Sequence, residues 1–166
     1  MALSLSMDEL LGYTEGERVK WERWFQNQPE SALAAVLQRE GRFPTAWSLM
    51  DHIFLTEKRH TQRLKQITPL AEQTGIAQPD ISGLFEFGSA ARAEFAQFVH
   101  SAKEPDMLRV QHFQIRDQTY SFTARKLAFH MLMHEIRHWA QIATAVRNAG
   151  FAPPGFHDLL FSSALE

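Results

Sequence analysis

Apolar residues recur at helical spacing in four long stretches of this chain. Between Ser6 and Gln28, Leu10, Tyr13, Trp21 and Trp24 mark one buried stripe, and Pro29 closes the run. Ser6, just ahead of Asp8 and Glu9, supplies a cap followed by first-turn acids. Residues 31–41 would add a short helical turn. The second long helix opens at Pro44 and carries Trp47, Met50, Ile53 and Phe54 on the way to Gln66. A third is expected over 89–102, on Ala93, Phe95, Phe98 and Val99. A fourth runs from Ser121 to Ala149 and is closed by Gly150.

Two segments lack this period. Residues 67–88 hold two prolines and three glycines, which suits a long connection. Residues 107–119 alternate, with Leu108, Val110 and His112 on one parity and Phe113 and Ile115 on the other. That pattern fits a short hairpin or an irregular loop. After Pro153-Pro154-Gly155, Leu159, Leu160 and Phe161 are expected to dock back on the helices. The pattern predicts an all-α fold: a four-helix bundle with a long crossover between helices two and three, in one domain over 1–166.

Composition narrows the function. The net charge of −2 and the lack of a basic block exclude electrostatic nucleic-acid binding. Lys58, Arg59, Arg63 and Lys65 form the densest basic group, diluted by Glu57, and read as a solvated helix face. The chain has no cysteine, so it offers neither a thiolate metal site nor a thiol nucleophile of its own. No apolar run approaches the ~18 residues of a membrane span, and the first residues have no signal-peptide pattern, so a soluble cytoplasmic protein is expected.

The chemistry lies in the fourth helix, where residues 134–138 read His-Glu-Ile-Arg-His. Positions four apart share a helix face, so His134 and His138 can converge on one metal ion. His130 precedes them by one more step of four. Each such step turns about 40°, and the outer two of the three diverge too far for all three to be ligands. A third ligand must come from elsewhere, and His52 is the best candidate. It sits mid-way along helix two among Leu49, Ile53 and Phe54, where an unpartnered imidazole is costly to bury. His60 lies in a charged stretch and reads as solvent-facing. The same string matches HExxH, in which Glu135 would be the general base of a metalloprotease. That reading lacks support downstream: Gln141 stands where the extended motif needs Gly, and Thr144 where it needs His. His157 or Asp158 would have to serve instead. In a bundle, Glu135 would be a partner for an imidazole N–H or a carboxylate between helices.

Three stretches carry a family resemblance. Trp47-Ser-Leu-Met-Asp-His52-Ile-Phe-Leu-Thr-Glu57, His130-Met-Leu-Met-His134-Glu-Ile-Arg-His138-Trp-Ala-Gln141 and Thr144-Ala-Val-Arg147-Asn-Ala-Gly150 resemble the helix-two and helix-four signatures of the DinB/YfiT-like superfamily. One departure stands out: Trp139-Ala140 replaces the usual Arg-Gly, while Gln141 is kept. The resemblance implies one divalent transition metal ion, zinc or nickel, held by His52, His134 and His138. It also implies a small-molecule substrate, and either a metal-dependent hydrolase or a transferase using a low-molecular-weight thiol cosubstrate. A non-catalytic bundle stapled by metal, or sensing a ligand through it, is the reading from a different class. Trp21, Trp24 and Trp139 need cover, which a homodimer would provide.

Overall fold

A computed structural model of the chain describes residues 4–71, 74–115 and 117–165. Four long helices dominate: α1 (Met7–Gln26), α3 (Ala46–Leu64), α4 (Ile81–Ser101) and α6 (Ala124–Asn148). Between them lie the short helices α2 (Glu30–Leu33) and α5 (Glu104–Leu108) and an antiparallel hairpin, β1 (Val110–Ile115) and β2 (Gln118–Thr123). Two short 3₁₀ turns end the tail. Within the described residues no helix is long and apolar enough to cross a membrane.

Local signals explain most boundaries. Ser6 and Glu9 form a reciprocal capping box at the start of α1, and Thr45 and Ser48 form another at the start of α3. Pro44 therefore precedes the helix and does not open it. Thr123 caps α6, two residues later than Ser121 suggests, because the strand β2 runs up to the cap itself. At the other end Gly150 adopts φ +90° while Phe151 N–H reaches back to Val146 O, a glycine-closed helix end.

The third long helix starts eight residues earlier than its periodicity suggests. Asp80 caps it by accepting from the Gly83 N–H, so Gly83 and Gly88 belong to α4, not to a loop. Its buried stripe is Leu84, Phe85, Gly88, Ala91, Arg92 and Phe95, and Ala93 is exposed. Gly88 is needed for close packing: a Cβ there would lie 2.8 Å from the ring of Phe54, which is fully buried. The alternating segment 107–119 resolves into the end of α5 and the hairpin, in register Phe113↔Tyr120 and Gln111↔Phe122.

Each long helix has two principal neighbours. α3 packs on α4 and α6, and α1 packs on the same two. Contacts along α3 and α4 climb together, Phe54 against Phe85, Glu57 with Arg92, and Lys58 with Glu94. These two helices are therefore parallel, which is why a long crossover (65–80) must join them. α1 and α6 are also parallel, with Arg18 on Glu135 and Trp21 stacked on Trp139. The core falls into two apolar clusters. One is built around Trp21, Phe54, Phe85 and Trp139, the other around Leu10, Leu64, Phe95 and Leu132.

The tail docks differently from expectation. Leu160 and Phe161 are exposed, and attachment runs through Trp24, whose Nε1 donates to Ala152 O at 2.7 Å, and through His157, stacked on Trp21. Trp21 and Trp139 are covered within the chain, so they give no reason for a second copy.

Gly88→Ala is expected to lower stability by about 1–3 kcal/mol through overpacking against Phe54, despite the higher helix propensity of alanine. The check is a urea unfolding midpoint, with Phe54→Leu in the same chain recovering part of the loss.

Candidate metal centre

Two buried arginines and two buried glutamates lie between the apolar clusters, one from each long helix. Arg18 (α1) donates through Nε to Glu135 Oε1 at 2.6 Å and through Nη2 to Glu57 Oε2 at 2.6 Å. Its Nη1 donates to Gly88 O at 3.0 Å. Arg92 (α4) donates through Nε to Glu57 Oε1 at 2.8 Å and through Nη2 to Glu135 Oε2 at 2.5 Å. Its Nη1 reaches Thr14 Oγ1 at 2.6 Å. Trp139 Nε1 also donates to Glu135, at 3.0 Å. The charges cancel, and every carboxylate oxygen has a donor. Burial pushes the Glu135 carboxyl up, but Arg18 and Arg92 outweigh it and hold it below its ordinary value. Burial likewise opposes the charge on Arg18, and Glu135 and Glu57 reverse that and raise it.

This settles the place of Glu135. The HExxH reading needs its carboxylate free beside the metal-bound water, yet both oxygens are occupied in the bundle interior. Trp139 covers and binds that carboxylate.

The helix that turns Glu135 inward turns His134 and His138, about 60–100° around it, into the groove facing α3. There His52 meets them. His52 Nε2 lies 3.2 Å from His134 Nε2, and His138 Nε2 lies 2.9 Å from the same atom. Among the described residues these three form the one group of metal-ligating side chains able to hold an ion, with all three ligand atoms within 4.8 Å of one another. Nitrogens bound about 2.0–2.1 Å from one ion sit about 2.9–3.4 Å apart at bond angles between 90° and tetrahedral. Hydrogen bonding fits the geometry less well, since the one Nε2 of His134 cannot satisfy two ring nitrogens at once.

Neighbouring groups prepare the rings. Gln141 Oε1 lies 2.5 Å from His138 Nδ1 and can only accept, so Nδ1 carries the proton and the Nε2 lone pair faces the group. The Thr56 hydroxyl sits 3.2 Å from His52 Nδ1 and can accept in the same way. Phe43 stacks on the His52 ring at 4.0 Å, placed by a loop that pairs Val36 with Thr45. Burial, then His138 and Arg42, pushes His52 down to about 4. Burial, then His138 and His52, takes His134 to about 2. Burial lowers His138 too, partly opposed by the Gln141 hydrogen bond. All three imidazoles are therefore neutral at pH 7, the form that ligates a metal.

The other candidates lie apart. His130 flanks His134, ring centres 5.4 Å apart, but is not in the group. His157 Nδ1 pairs with Glu17 at 2.6 Å, with Asp158 next to it on that face, so neither can complete a protease site with His134 and His138. His60 is not solvent-facing: it packs against Phe113 and His130. Arg18, Thr56, Arg92 and the role of Gln141 escaped sequence reading, because a single polar residue in a helix does not announce its partner.

A family model described as the DinB family matches residues 1–164. The chain belongs to the DinB family. Its fold is similar to that of YfiT from Bacillus subtilis, described as a probable metal-dependent hydrolase with an unusual four-helix bundle topology. That match has a TM-score of 0.71 at 17% identity and covers 92% of this chain and 94% of YfiT. It is also similar to a DinB-like protein, YjoA, from Bacillus subtilis, with a TM-score of 0.63 at 15% identity, covering 90% of this chain and 97% of that one. No curated protein matches the chain.

Glu57→Gln is expected to cost about 3–5 kcal/mol, because it leaves two buried guanidinium groups short of a partner. Adding Arg92→Met should cost less than the two single changes summed, by more than about 1 kcal/mol. Urea unfolding of the three variants is the measurement, and strict additivity would contradict the network.

Proposed function

We propose that this DinB-family chain binds one divalent transition metal ion, zinc or nickel, through His52, His134 and His138, and acts on a small molecule as a metal-dependent hydrolase. The carrying observation is the convergence of three neutral imidazoles, two of which, His52 and His138, have their outer nitrogens held by Thr56 and Gln141. A bound ion there supplies Lewis acidity, polarising a substrate oxygen and making water or a thiol a better nucleophile at neutral pH. The chain's own residues hold and orient the ligand rings and leave room beside them. A cavity of about 440 Å³ is bordered by His138, Gln141 and Phe43, and another of about 600 Å³ by His52, Thr56 and Arg42. A metal that only stapled the bundle would not need such open space, which favours an enzyme over a structural site. YfiT, which shares the fold, is itself described as a probable metal-dependent hydrolase.

Thiol transfer is the second reading. The chain has no cysteine, so a thiol would have to arrive as cosubstrate through the same open space. A cytoplasmic setting completes the proposal.

Protein purified without a His tag is expected to carry about one transition metal per chain by elemental analysis. His52→Ala should abolish this, while Asp158→Ala leaves it intact. The reverse pattern would overturn the assignment. Gln141→Leu should keep the fold and weaken metal affinity about 10–100-fold, read by competition with a chromogenic chelator.

A further inference from the structure

A separate cavity lies one helical turn beyond the triad, in the groove between α3 and α6 and under the β1–β2 hairpin. Its volume is about 250 Å³. His60 and Arg63 come from α3, Lys126 and His130 from α6, and Phe113 and Phe122 from the hairpin. The register puts Phe113 and Phe122 on the same face of the hairpin, with ring centres 5.8 Å apart, so the hairpin roofs the groove with aromatic surface.

The polar lining has one sign. Among the described residues two cations border the cavity and no carboxylate does. Arg63 lies over the Phe113 ring and Lys126 over the Phe122 ring, each at 5.2 Å from the centroid, so each aromatic wall carries a cation against its face. Arg63 Nη1 donates to His60 Nδ1 at 3.1 Å, and the proton of that neutral ring is therefore on Nε2, a further donor. An apolar pocket with a few converging polar groups is the usual form of a small-ligand site, and here those groups are hydrogen-bond donors and cations. Of the basic group read from sequence as a solvated face, Arg63 lines the cavity.

A row of imidazoles leads from the cavity wall to the candidate metal centre. Ring centres run from His60 to His130 at 6.3 Å and from His130 to His134 at 5.4 Å.

We infer that this cavity binds an amphipathic organic anion, its apolar body against Phe113 and Phe122 and its carboxylate or phosphate on Lys126 and Arg63. In the reaction, that anion is the end of the substrate remote from the bond that reacts at the triad. The second statement rests on the metal-dependent reading above; the binding site itself does not.

The test is a ligand-detected NMR titration of 3-phenylpropionate at low salt, on wild type and on His52→Ala. Saturable binding to both is expected, with 3-phenylpropan-1-ol at least fivefold weaker. Lys126→Gln, an exposed position that leaves folding undisturbed, should weaken the acid at least threefold and the alcohol hardly at all. Phe122→Ala should weaken both. Arg39→Gln, in the exposed loop before α3, should change neither. Phenyl phosphate in place of the carboxylate tells which head group is preferred. Equal affinity for acid and alcohol, or an unchanged Lys126→Gln, overturns the anion site. Binding to a wild type that takes up no metal upholds the site and removes only the metal reading. A metal-loaded protein that binds neither acid nor phosphate removes only the site.

Discussion

The bundle depends on Arg18, Glu57, Arg92 and Glu135 neutralising one another where water cannot. A lone charge in that interior would carry a desolvation penalty of several kcal/mol, and pairing removes the penalty only when the geometry is good and the remaining donors and acceptors are used. Here they are: Gly88 O, Thr14 and Trp139 complete the set. Each long helix contributes one member, so no helix can rotate or slide without breaking a buried ion pair. Apolar packing tolerates such slippage far better than hydrogen-bonded charges do. The network therefore sets the rotation of α3 and α6 about their axes.

The candidate metal centre inherits that setting. With Glu135 held inward, His134 and His138 are aimed across the groove, and with Glu57 held inward on α3, His52 is aimed back at them. Three imidazoles meeting within 3.2 Å of a common nitrogen need this accuracy from two helices that are remote in sequence. The polar partners Thr56 and Gln141 then set the ring orientation from within the same two helices, one turn from His52 and from His138. Structural charge inside and ligating nitrogen outside thus occupy different faces of the same helices. An HExxH string that elsewhere serves a protease here divides its roles: the histidines face the groove and the glutamate the core.

Parallel packing of α3 and α4 has its own consequence. A crossover must travel back along the bundle, and Thr74 of that crossover bonds Asp51, next to His52. The hairpin plays the matching part at the other end of the groove, over His60 and His130. Loops thus border both ends of an open groove whose middle is the triad, an arrangement that leaves open space beside a rigid centre.

Much of this was determined by the sequence alone. Helical periodicity, the Ser6 cap and the Gly150 stop define α1 and α6 because these signals are local. Spacing by four placed His134 and His138 on one face, and an imidazole among Leu49, Ile53 and Phe54 pointed to His52. The start of α4 was hidden because Gly83 and Gly88 look like loop residues until Phe54 is seen to need the missing Cβ. Only the tertiary structure decided which way Glu135 points, what Trp139 does in place of Arg, and that His60 lies under a hairpin. The direction of Glu135 depends on partners far along the chain, Arg92 at 43 residues and Arg18 at 117. A helix pattern fixes which face a residue shares, and it carries no information about what that face will meet.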